Sequence, residues 1–277
     1  MPPDANTSDH SSLPWLPQQQ ELLDAFGVER VADVHCHCLP GLDDGPTSLG
    51  EAVGLCQALA ENGLTTVVAT PHQLGSYDRL NSAAVVDRAI AEMKEELDAA
   101  GVPLELLPGG DVRVDERLLK LLDSGEVIST AGAGQHLLLE LPHELYVDPL
   151  PMIEMLAERG LQTIMTHPER HRYLAGSVGR LQTWVDEGAV LQITAGSLIG
   201  DFGRTAYNEA WRLVESGLVS LIATDAHDAR RRPPRMREAI GVLSDRVGGD
   251  FARHVCIDNP LKVIGGEAIP SPPAAAA

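Results

Sequence analysis

The sequence predicts an α/β chain whose parallel strands close into a barrel, and three observations carry that reading. Short aliphatic runs alternate with amphipathic helical stretches about seven times, the pattern of a parallel sheet covered by helices. The runs are apolar almost throughout, as strands buried on both faces are. No dinucleotide-binding fingerprint supports an open sheet instead, because the glycines at 109 and 110 lack the following G-x-x-G spacing. The length of 277 residues and the 44% hydrophobic content suit one large barrel core. Aromatic residues make up only 4%, so Ala, Leu and Val must do most of the packing.

The strand runs are VADVH (31–35), TTVVAT (65–70), LELLPG (104–109), HLLLEL (136–141), LQTIMT (161–166), AVLQIT (189–194) and VSLIAT (219–224). Helical stretches lie between them, near 48–62, 82–100, 115–123, 149–159, 177–187, 204–216 and 234–247. Residues 1–30 read as an extension, polar and Pro-rich to residue 17 and helical over 18–30. Residues 31–266 form the barrel, and 267–277, ending in IPSPPAAAA, read as a disordered tail.

Charge and composition exclude several functions. Net charge is −19, which argues against nucleic-acid partners and anionic membranes. No run reaches the roughly 20 apolar residues of a membrane span, and the N-terminus has neither the basic nor the apolar part of a secretory signal. Four cysteines are too few for a disulfide scaffold. A cytoplasmic globular protein is expected.

Six of the seven runs end at a His, Asp or Glu. His35 and His37 close the first, and Asp44 sits in the loop after it. His72 follows the second, Asp111 the third, Glu140 ends the fourth, His167 follows the fifth, and Asp225 and His227 follow the last. In a parallel barrel all C-terminal strand ends open on one face, so residues far apart in sequence can share a pocket. On an extended strand His35 and His37 point to one side, while Cys36 and Cys38 point to the other, into the barrel wall. A structural zinc site would need a second Cys/His pair at finger spacing, and none exists.

These donors are nitrogen and oxygen without thiolate, a set that suits Mn, Fe or Zn. Five histidines and four carboxylates exceed the needs of one ion and point to two or three divalent metals with bridging carboxylates. Such clusters generate hydroxide near neutral pH and clamp the oxygens of a displacement at phosphorus. Arg170, three residues after His167, and Arg232, in the Arg-rich stretch 227–237, are candidate phosphate ligands, because arginine forks pair with phosphate oxygens. The other arginines of that stretch read as surface residues. No cysteine has Arg six positions on, which excludes a cysteine-based phosphatase loop, and no G-x-S-x-G elbow or Walker loop is present.

The set D-x-H-x-H…LDDGP, TPH, GGD, E, HPER, TDAH and IDNP resembles the polymerase-and-histidinol-phosphatase (PHP) superfamily, and within it the bacterial capsule and exopolysaccharide tyrosine phosphatases, over about Val31 to Ile264. The resemblance implies a distorted (β/α)7 barrel with a trinuclear site, often manganese. It implies His35, His37, Asp44, His72, Asp111, Glu140, His167, Asp225 and His227 as ligands, and Arg170 and Arg232 in phosphate binding and catalysis. It further implies a phosphotyrosine protein substrate, on a bacterial tyrosine kinase controlling polysaccharide export. His227 or Asp44 would polarise or relay protons. The family usually has Glu at the position of Asp111. Asp is one methylene shorter, so either the backbone moves inward or the bridge is strained or lost. The alternatives are a phosphatase for histidinol phosphate or another small phosphomonoester, and a non-catalytic regulatory protein with a degenerate site. Oligomeric state is not legible.

Overall fold

A computed structural model describes residues 13–270. Residues 1–12, the first part of the expected extension, and 271–277, most of the expected tail, lie outside the described residues. The strands are β1 (Ala32–Cys36), β2 (Thr66–Ala69), β3 (His72–Gln73), β4 (Glu105–Pro108), β5 (Asp111–Arg113), β6 (His136–Glu140), β7 (Gln162–Thr166), β8 (Val190–Thr194) and β9 (Val219–Ala223). The helices are α1 (Pro17–Phe26), α2 (Leu49–Glu61), α3 (Ala83–Ala100), α4 (Leu118–Asp123), α5 (Leu150–Ala157), α6 (Val178–Asp186), α7 (Ala195–Ile199), α8 (Gly203–Glu215), α9 (Met236–Val247), α10 (Gly249–Arg253) and α11 (Asn259–Ile264). Among the described residues no helix is long and apolar enough to cross a membrane.

All strand pairings are parallel, in the orders β1-β2-β4 and β3-β5-β6-β7-β8-β9. The second and third sequence runs form β2 and β4, and each is followed in the same stave by a short second strand, β3 and β5. Pro71, without an N–H, interrupts the ladder between β2 and β3, and Gly109-Gly110 separates β4 from β5. The second and third staves are therefore shared between the two sheets, which together make seven staves. The ring closes where the Asp225 amide donates to the His35 carbonyl (2.8 Å) and the His37 amide to the Ala226 carbonyl (2.9 Å). This is the distorted seven-unit barrel expected from the sequence.

Each stave places an apolar side chain in an interior layer, Val34, Val68, Leu107, Leu138, Ile164, Val190 and Leu221, and β9 adds Ala223 above Leu221. Val263, Ile264 and Ile269 pack against this layer from below. Ile269 lies within the expected tail. It is buried, its amide donates to Gln162 Oε1 (2.9 Å) and its carbonyl accepts from Gln162 Nε2 (3.0 Å). The chain therefore remains part of the barrel through the first residues of the expected tail, because Ile269 covers the floor. At the other end, α1 packs on the barrel through Leu22 and Leu23. Buried Gln19 pins it, donating to the carbonyls of Leu64 (2.6 Å) and Pro103 (2.7 Å).

Two residues further along β6, β7 and β8 the interior turns polar, at Glu140, Thr166 and Gln192. In β1 the change depends on a bulge. Asp33 pairs with Val67 and Cys36 with Ala69, three steps against two. The extra residue switches the parity of the strand. Val34 can then lie in the apolar layer while His35 and His37 both face the mouth, and Cys36 and Cys38 join the outer core. All four cysteines are buried and free.

Asp33 holds the β1–β9 seam. Its carboxylate accepts from the Thr224 amide (3.0 Å), the Thr224 hydroxyl and the His35 amide (3.4 Å). Burial, against those hydrogen bonds, raises this carboxyl to about 6. Asp33→Ala would strand these donors in the interior and is expected to cost about 2–3 kcal/mol in urea denaturation. The folded state holds the Asp33 proton more tightly than the unfolded chain, whose carboxyl titrates at roughly 4. Asp33 therefore contributes most below that value, and the cost of the substitution should shrink as pH rises through about 6.

Candidate metal centre

The nine residues singled out as ligands in the sequence come together at the C-terminal mouth of the barrel. They form four sets whose donor atoms all lie within 4.8 Å of one another: His37, Asp44, His72 and His227; His35, His167 and Asp225; His35, His37 and Asp111; and His72, Asp111 and Glu140. The sets overlap, sharing His35, His37, His72 and Asp111, as donors to several adjacent ions would. His35 Nε2 lies 3.4 Å from Asp225 Oδ1 and 3.6 Å from Asp111 Oδ2. His72 Nδ1 lies 3.3 Å from Asp111 Oδ2 and 3.5 Å from Glu140 Oε2. Asp44 Oδ1 stands 3.3 Å from His227 Nε2 and 3.5 Å from His72 Nε2, and His167 Nε2 lies 3.9 Å from Glu140 Oε1.

The donor set fits divalent cations. Both Asp111 oxygens, Asp225 Oδ1 and His167 Nδ1 are buried without a hydrogen-bond partner, a costly arrangement that cation coordination relieves. The surrounding field is strongly negative. Burial alone would lower the His37 imidazole, but the charge of Asp43 carries it up to about 9. Burial is likewise overcome at His72, which the adjacent carboxylates of Asp111 and Asp44 carry to about 11. Burial and the charge of Asp111 raise Glu140 to about 7. Protons and metal ions compete for such a pocket.

Side chains that the sequence reading did not select orient the imidazoles. Asp43 Oδ2 accepts from His37 Nδ1 (2.6 Å) and from the His72 amide (3.1 Å). Of the adjacent pair, Asp43 is the buried residue and Asp44 the one reaching into the pocket, with side-chain exposures of 1% and 53%. Gly45 lets this loop lie against β1, since a Cβ there would sit 2.4 Å from the His37 carbonyl oxygen. The sixth stave, the one without a His, Asp or Glu at its end, supplies Gln192, whose Oε1 lies 2.8 Å from His35 Nδ1. A proton on that nitrogen leaves Nε2 free to face the donors. His227 Nδ1 is held in the same way by the Asp225 carbonyl (3.0 Å). His167 and Asp225 adopt left-handed φ values of 32° and 49°, a strained conformation for non-glycine residues that positions both at the mouth.

Arg170 and Arg232 both donate to Asp225 Oδ2. Their guanidinium carbons stand 4.5 and 5.4 Å from the Phe202 ring centroid. Both line a cavity of about 200 Å³, together with His72, Glu140, His167 and Asp225. His227, the third residue assigned a catalytic role, accepts from Arg232 Nη1 at 2.9 Å. Arg113, not selected in the sequence, adds a cation to the wall, with Nη2 3.0 Å from Glu140 Oε2. The other arginines of 227–237 face outward, Arg235 pairing with Asp201 and Glu238, and Arg237 with Glu21.

The chain is 31% identical over 222 residues, 79% of its length and 86% of the relative's, to the tyrosine-protein phosphatase YwqE of Bacillus subtilis. It is 24% identical, over 84% of its length and 97% of the relative's, to the tyrosine-protein phosphatase CpsB of Streptococcus pneumoniae. Its fold matches a chain from the crystal structures of YwqE and CpsB, described as unique metal-dependent tyrosine phosphatases. That match has a TM-score of 0.80 and 28% identity, over 87% of this chain and 99% of that one. Residues 31–265 match the family model for capsular polysaccharide synthesis, CpsB/CapC, and the chain belongs to that CpsB/CapC family.

Proposed function

We propose that this protein is a metal-dependent tyrosine phosphatase that hydrolyses phosphotyrosine on a protein substrate. The observation that carries this reading is the convergence of nine nitrogen and oxygen donors, in overlapping sets, beside a cavity walled by Arg170 and Arg232. The nine donors would hold two or three divalent ions, manganese first among those the donor types suit, with iron or zinc as the others. Such ions supply an activated water and neutralise phosphate charge.

The chain's own residues do the rest. Arg170 and Arg232 bind the phosphoryl oxygens and stabilise charge that spreads onto them during displacement. Phe202, beneath both guanidinium groups, limits their movement. Asp43 and Gln192 fix the rings of His37 and His35. The departing tyrosine oxygen, with a pKa of about 10, needs less protonation than an alkoxide. Proton relay therefore falls to groups of modest acidity at the mouth, His227 or Asp44. The family's role in capsular polysaccharide synthesis supports a cytoplasmic bacterial tyrosine kinase of that system as the substrate.

Protein purified without chelator should contain two or three metal ions per chain by elemental analysis. It should hydrolyse p-nitrophenyl phosphate and phosphotyrosine peptides faster with added Mn²⁺. Metal with activity only on small phosphomonoesters would refute the protein-phosphatase reading, and absence of both metal and activity would refute the enzyme. Arg170→Ala should lower kcat roughly 100- to 1,000-fold while metal content stays near normal, and metal loss in that variant would count against a role in phosphate binding. Asp43→Asn should instead weaken metal affinity by about 10- to 100-fold, read by competition with a chromogenic chelator.

A further inference from the structure

A second cavity, of about 350 Å³, opens beside the metal cavity and shares Gln73, Leu74 and Tyr77 with it as common walls. A small phosphomonoester would end at the metal cavity, whereas a polypeptide must continue past it. Resting on the phosphotyrosine reading above, we propose that this outer cavity is the subsite for the chain flanking the phosphotyrosine, and that it selects an acidic side chain there.

The partition between the two cavities is a built feature. The Tyr77 ring stacks on His72, with centroids 5.5 Å apart and planes at 15°. Tyr77 is presented by a tight turn, its amide donating to the Leu74 carbonyl at 3.0 Å. Leu74 and Arg79 hold left-handed φ values of 67° and 64°. The turn is fastened from below. Asn81 Nδ2 donates to the carbonyls of Leu42 and His72, both at 2.8 Å. Gln73 Nε2 donates to the carbonyls of Asn81 (2.6 Å) and Glu126 (3.1 Å), and Gln73 Oε1 accepts from the Ile128 amide (3.0 Å). Strain held this firmly in a surface loop at an active-site mouth marks a segment shaped for contact.

The rim has the composition of a polypeptide-binding surface. Among the described residues, the large hydrophobics left exposed are Leu80 (58%), Leu145 (57%) and Tyr146 (36%). Leu80 lies on the loop before α3, and the other two lie on the loop after β6, so all three stand on mouth loops. The charge of the outer cavity runs against that of the chain. Arg79, Arg117 and Lys120 line it, opposed by Asp78 and Glu126, on a protein of net charge −19. Arg117 is engaged by Asp115 and Asp78, and Arg79 by Asp78. Lys120 is exposed and has no ion-pair partner among the described residues, so it is the cation free to meet a substrate carboxylate.

The test compares the metal-loaded wild type with Lys120→Glu and Leu80→Ser, neither of which touches the donor sets. Three substrates are used: p-nitrophenyl phosphate, a phosphotyrosine peptide with acidic flanks, and the same peptide with those acids replaced by Gln. The wild type should prefer the acidic peptide by roughly fivefold in kcat/KM, the scale of one exposed ion pair, and the preference should fall with added salt. Lys120→Glu should abolish it through KM, leaving p-nitrophenyl phosphate turnover unchanged. Leu80→Ser should raise KM for both peptides alone. Equal use of both peptides by the wild type, or a preference that persists in Lys120→Glu, overturns the subsite. So does a fall on all three substrates together. Hydrolysis of p-nitrophenyl phosphate with neither peptide accepted overturns the phosphotyrosine reading itself, a separate result.

Discussion

The constraint on which the rest of this structure depends is the burial of carboxylates and imidazoles side by side at the barrel mouth. Asp111 and Asp225 are essentially inaccessible to water, and oxygens of both lack hydrogen bonds. An isolated ionised group moved into a medium of low dielectric loses on the order of tens of kcal/mol of solvation. Protein groups alone answer only part of this. Arg170 and Arg232 converge on one Asp225 oxygen, and His37 and His72 are driven towards their charged forms. The architecture beneath is what makes such crowding tolerable. A layer of seven aliphatic side chains seals the barrel below the polar level, and the helices seal it outside, so the whole fold's apolar burial offsets the local electrostatic cost.

Placing so many donors on one face requires departures from regular strand geometry, and these departures cluster where the donors are. The bulge in β1 turns His35 and His37 inward above Val34. The breaks at Pro71 and Gly109-Gly110 come immediately before His72 and Asp111. His167 and Asp225 take left-handed backbone conformations directly after β7 and β9. Regular staves build the floor, and irregular stave ends aim the site. The exposed, strained turn carrying Tyr77 extends the same pattern outward from the donors to the rim.

Much of this was legible in the sequence because barrels convert a one-dimensional regularity into a three-dimensional one. Seven apolar runs separated by helical spacing specify parallel staves, and polar residues at six run ends specify one polar face. The residues that escaped are those whose role depends on direction, not position. Adjacent Asp43 and Asp44 look equivalent in a string, yet one supports His37 from behind while the other reaches into the pocket. Gln192 lies inside a strand run and reads as an ordinary polar residue until the barrel closes and brings it to His35 across 157 positions. Ile269 sits within a Pro- and Ala-rich tail whose composition hides one anchoring side chain.

Asp111 shows how the two kinds of information meet. The family resemblance leads one to expect Glu here, one methylene longer than the Asp the sequence holds. In the structure its carboxylate takes part in two of the four donor sets and lies between His35 and His72. The preceding Gly110 has no room for a side chain, since a Cβ there would meet Gln73 Oε1 at 2.2 Å. Gly110 therefore lets β5 lie close over the Gln73 side chain of β3, where Asp111 pairs with His72. Asp111 Oδ2 stands 3.3 Å from His72 Nδ1 and 3.6 Å from His35 Nε2 despite its short side chain. The short carboxylate is thereby within reach of the donors of both sets in which it takes part.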